Sequence, residues 1–279
     1  MKLLKAALGI LLTLQVCEAF AQIAQIAQTT LATHTTQILQ DKRTSGSVYL
    51  SKQMQELQND ATRNPISLWQ ERGQSLWQGQ CKSCHGEINT LKRSAATFPR
   101  LGSDGKNLVN LEDQIVRCQS RQNPTVNTIE SEEVISLSTA LHQAAKNELI
   151  AVTAPVITTT ITQTSAPLAS DSWQTRLKSG ETLYQTRMGR MNLACMHCHD
   201  QKVGAQMRAD TISQGHPTGF PIYRMSWQTM GTIDRRLRAC YSGVQATIPL
   251  PGSADLRDLE LYLKVRANGM PLDGPSIRR

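Results

Sequence analysis

Two copies of Cys-x-x-Cys-His, Cys81-Lys82-Ser83-Cys84-His85 and Cys195-Met196-His197-Cys198-His199, constrain this 279-residue chain more than any other feature. The spacing is that of c-type haem attachment. Two thiols add across the two vinyl groups of one porphyrin, and the adjacent imidazole reaches the iron from one face. A single copy is also compatible with a zinc half-site or a redox thiol pair. Here there are two, and neither has a further Cys or His pair nearby at zinc-ligand spacing. The expectation is two covalent haems c, on Cys81 and Cys84 and on Cys195 and Cys198, with His85 and His199 as proximal iron ligands.

The surroundings of the motifs repeat as well. Trp69, Gly73, Leu76 and Trp77 precede the first at helical spacing, and Trp173, Leu177, Gly180, Leu183 and Tyr184 precede the second. A helical pattern closes each repeat, from Val134 to Leu149 and from Asp255 to Val265. The expected fold is mainly α: two tandem class I-like cytochrome c domains, at 65–150 and 171–279. A charge-free segment rich in Thr, Ala, Ser and Pro, at 151–170, reads as the linker, although Val156 to Ile161 also has edge-strand propensity. Only 4% of residues are aromatic, which suits a core completed by something other than side chains.

Lys2 and Lys5, the apolar run Ala6 to Val16, and Ala19-Phe20-Ala21 have the layout of a signal peptide at 1–21. The run is too short to span a bilayer comfortably, so a periplasmic protein without stable membrane insertion is expected, beginning with an N-terminal extension at 22–64. The formal charge of +8 does not imply nucleic acid, because no aromatic stacking series is interleaved with the basic residues. Six cysteines remain after Cys17 leaves with the signal.

Two of those six lie outside the motifs. Gly86 to Ile150 contains no Met, leaving Cys118, His142 and a few lysines as second axial ligands of the first iron. Cys118 follows His85 by 33 residues and Cys240 follows His199 by 41, so the repeat gives each haem its own cysteine. A Cys118–Cys240 disulfide is the competing arrangement. Thiolate ligation lowers a haem potential and disfavours a simple electron carrier. Met207, Met225 and Met230 keep methionine ligation open for the second haem, and His142, His197 and His216 read as ordinary surface-helix and loop residues. Arg235, Arg236 and Arg238 crowd the approach to Cys240, with Arg208 and Arg224 as further candidates. Cations there stabilise a thiolate and attract an anion.

The chain resembles SoxA, the dihaem c-type subunit of the SoxAX cytochrome of thiosulfate-oxidising bacteria. The resemblance rests on Leu193 to Asp200, Ile212 to Pro217, Gly219 to Arg224, Arg235-Arg236-Leu237-Arg238-Ala239-Cys240 and the ending Gly269 to Arg278. It implies oxidative coupling of thiosulfate to a cysteine of the carrier SoxYZ, an L-cysteine S-thiosulfotransferase activity, with electrons passing to haem and the SoxX partner. Under it Cys240 is the active-site haem ligand, able to carry an extra sulfur, Cys118 is the thiolate ligand of the first haem, and Arg236 holds the thiosulfate anion. Two positions depart from the family pattern: Asp234 stands where a His is common, and Gln245 where an Arg is common. A dihaem electron carrier and a tetrathionate-forming thiosulfate dehydrogenase are the alternatives. Protein matured with haem-attachment machinery is expected to show an intact mass two haems above the polypeptide; peptide mapping that found a Cys118–Cys240 disulfide would overturn the ligand assignment.

Overall fold

The computed structural model describes residues 42–122, 125, 128–155 and 169–279; the expected signal peptide, the first part of the extension and the Val156 to Ile161 stretch lie outside them. Helix α1 spans Lys52–Asn59, and its N-terminus is capped by the Ser51 hydroxyl, which accepts from the Met54 N–H. α2 (Ile66–Leu76) runs through one π-helical turn, Trp77–Cys81, into α3 (Lys82–His85), which Gly86 ends at φ 68°. There follow α4 (Ser94–Thr97), the hairpin of β1 (Arg100–Leu101) and β2 (Leu108–Val109), α5 (Leu111–Gln122) and α6 (Glu132–Ala144). The second repeat supplies α7 (Ala169–Gln185), α8 (Cys195–His199), the hairpin of β3 (Gln206–Met207) and β4 (Asp210–Thr211), β5 (Ile222–Arg224) and β6 (Thr229–Gly231). α9 (Ile233–Gly243), α10 (Ala254–Arg266) and β7 (Ser276–Arg278) complete the chain. In the three-stranded sheet β6-β5-β7, β5 pairs antiparallel with β6 and parallel with β7. No described helix is long and apolar enough to cross a membrane.

The helix leading into each motif crosses the helix that closes its repeat, and each crossing turns on one glycine. A Cβ on Gly73 of α2 would stand 2.0 Å from the Ser136 carbonyl oxygen and 2.8 Å from Ala140 Cβ on α6. On Gly180 of α7 it would stand 2.0 Å from the Asp258 carbonyl oxygen and 2.9 Å from Tyr262 Cβ on α10. Backbones this close admit no side chain between them, so glycine at these two places is a packing requirement rather than a break in the helix.

α6 stops at Ala144, five residues short of the expected Leu149. Asn147 takes φ 72° and the chain turns to pair with the C-terminal segment. The Asn147 and Ile150 N–H groups donate to the Leu272 and Met270 carbonyls at 2.8 and 2.9 Å, and Gly269 and Leu272 donate back to Ile150 and Glu148. The beginning of the expected linker is fastened the same way: Val152 is buried, and its N–H donates to Asn268 Oδ1 at 2.9 Å. Residues 44–279 therefore fold as one compact unit. One core cluster joins Trp77, Leu111, Leu137 and Ile150 to Trp173, Leu261, Met270 and Leu272.

Arg257 of α10 lies at the centre of this unit and is 2% exposed. Its fork binds both oxygens of Asp113 on α5, at 2.6 and 2.8 Å, and Nη1 donates to Asp234 Oδ2 on α9 at 3.0 Å. The helices that carry Cys118 and Cys240 are thus tied to one guanidinium. Arg257→Met leaves Asp234, which is fully buried, without its counter-charge, and is expected to cost about 3–5 kcal/mol in denaturant unfolding of the holoprotein. A cost within experimental error would refute this role.

Candidate functional site

The second motif is assembled from three directions. The Ala194 N–H donates to Nδ1 of His197 at 2.9 Å, so that imidazole caps its own helix and is turned away from any ligand role. His199, at the end of α8, donates from Nδ1 to the Ser213 carbonyl at 2.8 Å, which fixes the tautomer and leaves Nε2 as the free lone pair. Gly215, at φ 74°, lies under the ring, where a Cβ would stand 3.1 Å from Cγ and Nδ1. Cys240 comes from α9, whose N-terminus is capped by the Thr232 hydroxyl, and its thiol is within hydrogen-bonding contact of His199. Burial alone would push this thiol up, but Arg236, one helical turn earlier, together with His199 and Arg224, outweighs burial and brings it down to about 7. The neighbouring Cys195 shows the opposite outcome, pushed up to about 12 by burial and then by Cys240.

The arginines near Cys240 in sequence do not all face it. Arg235 lies over the Trp227 ring at 4.5 Å, and Arg238 reaches away to the Pro249 carbonyl and Glu130. Arg208 is exposed at the tip of the β3–β4 hairpin with φ 59°. Arg236 and Arg224 remain to act on the thiol. Asp234, which stands where the family commonly has a His, points inward to Arg257 and to the Gly252 N–H. Gln245 is exposed on the turn after α9, at φ 59°.

The first motif is more open. Cys84 and His85 are exposed, and Trp77 Nε1 donates to the Gly86 carbonyl at 3.0 Å, holding the loop closed behind the imidazole. α5 brings Cys118 beside Cys81, whose thiol is pushed up by burial and then by Cys118. Gln114 Nε2 donates to Cys118 Sγ at 3.6 Å. All six described cysteines are free thiols, so the Cys118–Cys240 disulfide is not formed.

This donor set suits haem c. Each motif offers two thiols and one imidazole, and a further thiol arrives from a separate helix. At the second motif His199, oriented through Nδ1, and Cys240 lie side by side as two donors that would hold a haem iron. Among the described residues no three His, Cys, Asp or Glu side chains converge as a protein-only metal cage would need.

Comparison with known proteins leads to the same chemistry. A family model described as the SoxA/TsdA cytochrome c domain matches residues 66–150. The L-cysteine S-thiosulfotransferase subunit SoxA of Pseudaminobacter salicylatoxidans is 29% identical over 249 residues, covering 86% of this chain and 82% of the relative. The subunit of the same name from Allochromatium vinosum is 38% identical over 104 residues, 37% of each chain. The crystal structure of SoxXA from P. pantotrophus superposes with a TM-score of 0.73 at 25% identity, covering 85% of this chain and 87% of that one.

Other candidate ligands sit elsewhere. Met207 and Met225 are exposed rather than packed, and Met230 is core, beside Ile66, Ile135 and Ile277. His216 lies half-buried in the loop before β5. His142 is no surface residue: it is buried between α6 and α10, with Nδ1 donating to the Ser138 carbonyl at 2.9 Å. Burial, and then Lys264, pull its imidazole down to about 3. It is therefore neutral in the fold, whereas in the unfolded chain it takes up a proton near 6.5, the ordinary value for histidine. Stability should fall as pH drops through that window. His142→Gln is expected to flatten this acid limb of denaturant midpoint against pH; parallel profiles for the two proteins would count against it.

Proposed function

We propose that this chain is a SoxA-type cytochrome, an exported dihaem subunit that joins thiosulfate to the cysteine of a carrier protein. The observation that carries the reading is Cys240, held against His199 with Arg236 one turn away in a cationic recess. The proposed coupling forms one S–S bond between the sulfane sulfur of thiosulfate and the carrier thiol, releasing one proton and two electrons. Haem c, held through Cys195, Cys198, His199 and Cys240, would supply the electron acceptor at this site; Cys81, Cys84, His85 and Cys118 would hold a second.

The chain's own residues do the rest. Arg236 offers paired N–H donors to the oxygens of a dianion and, by its charge, favours the thiolate form of Cys240. Ser213 and Gly215 hold the His199 ring in place from the other side. The relatives named SoxA and the match to a SoxXA structure support a SoxX-type cytochrome as partner; SoxYZ as carrier is what the family resemblance implies. The repeated glycine crossings support c-type units at 65–150 and 171–279, after a signal peptide at 1–21 and an extension at 22–64. The reading places the mature protein in the periplasm.

Cys240→Ala is expected to keep its covalent haem, because other cysteines attach it, while thiosulfate–carrier conjugate falls by about a hundredfold or more when followed by mass spectrometry. Undiminished conjugate in that variant would sink the assignment. Tetrathionate formed at the same rate with and without carrier would point to the dehydrogenase alternative instead.

A further inference from the structure

β5 and β7 are parallel neighbours, and their register sets Arg224 opposite Arg278. The preceding pair, Tyr223 and Ile277, turns to the other face and packs with Met230, so the two arginines share the face away from that cluster. Arg278 lies within electrostatic reach of Arg236, as does Arg224. Arg236 and Arg224 act on Cys240 itself, and Arg278, on the strand beside Arg224, adds a third guanidinium within reach of Arg236.

Space has been kept for the Arg278 head. Its Nη2 stands 2.8 Å from where a Cβ on Gly219 would lie, and 3.1 Å from the same point on Gly46. The nearby carboxylates are engaged with other groups. Asp210 pairs with Arg224 at 3.0 Å, and Asp273 Oδ2 accepts from the Ser45 and Ser47 hydroxyls. Asp273 acts on Arg278 through its charge, but its buried Oδ1 has no hydrogen-bond partner, so the two side chains are not joined by a hydrogen bond. The Arg278 hydrogen bond to protein runs from Nη1 to the adjacent Ile277 carbonyl at 2.7 Å. Asp210 and Asp273 offset part of this positive charge, and the remainder attracts an anion from solution.

We propose that Arg278, beside Arg224 and Arg236, is a substrate-positioning residue that binds the three-oxygen end of a divalent thio-oxyanion and leaves its sulfane sulfur toward Cys240. The inference deepens the thiosulfate reading and rests on it for the identity of the anion. Arg236 acts next to the thiol, whereas Arg278 acts at a distance from it, so losing Arg278 should weaken capture without slowing the bond-forming step.

The test uses the haem-loaded full chain, with thiosulfate as the probe, in Arg278→Lys, Arg278→Met and, as a control, Arg279→Met. Thiosulfate Kd is measured by calorimetry without carrier, and KM and kcat with it. The expected series is a Kd and KM raised about threefold in Arg278→Lys, which keeps charge but loses the fork, and about tenfold in Arg278→Met, with kcat within about twofold and the control unchanged. If Arg278→Met does not accumulate as folded haemoprotein, the Arg278→Lys shift decides alone. A flat series, a loss confined to kcat, or no thiosulfate binding by the wild-type chain overturns the inference. Thiosulfate binding with this Arg278 dependence, but no carrier conjugate, would instead overturn the coupling reading and leave the anion site standing. A flat series with normal conjugate would do the reverse.

Discussion

The buried guanidinium of Arg257 is the interaction on which the arrangement of this molecule depends. It binds Asp113 with two donors and Asp234 with a third, joining α5, α9 and α10 through a buried guanidinium and a buried Asp234. Each expected second-ligand cysteine lies on a helix that this side chain holds: Cys118 on α5 and Cys240 on α9. An isolated charge there would be very unfavourable, so the three helices have little freedom to separate while it remains buried. The surrounding core, drawn from both repeats, makes the same demand through apolar contact.

That constraint also sorts the basic residues. Read along the chain, Arg235, Arg236 and Arg238 form one cationic block. Helical geometry sends them apart: one onto the Trp227 ring, one to Glu130, and one to Cys240. The charge at the thiol is supplemented from the sheet, where β5 delivers Arg224. The Cys240 recess is thus cationic first because of Arg236 in the run that precedes the cysteine, and then because strand pairing brings in Arg224 from a distant segment.

Much of the local structure was legible beforehand. The periodicity into each motif predicts α2 and α7, and Gly73 and Gly180 stand out because a glycine inside an apolar helical pattern needs a packing reason. The repeat also placed Cys118 and Cys240 in corresponding positions. Other readings failed where a distant partner decided. Leu149 continues an apolar pattern, but residues 147–150 find better hydrogen bonds with the C-terminal segment than in another helical turn. His142 looked like a surface histidine because its neighbours in sequence do not show that α10 covers it. Asp234 stood out only as a departure from the family's His, and Arg257, its partner 23 residues on, carried no signal in the sequence at all.

By itself, then, the sequence determined the covalent chemistry: which thiols and imidazoles stand at haem-attachment spacing, and which helices lead to them. Spacing within a few residues is a property of local backbone geometry, so it survives translation from sequence to structure. Only the tertiary structure decided which charges face Cys240, which are neutralised inside, and that both repeats share one core. Those outcomes depend on contacts between residues a hundred or more positions apart, such as Asp113 with Arg257, and on burial, which turns an ordinary ion pair into one the fold cannot lose.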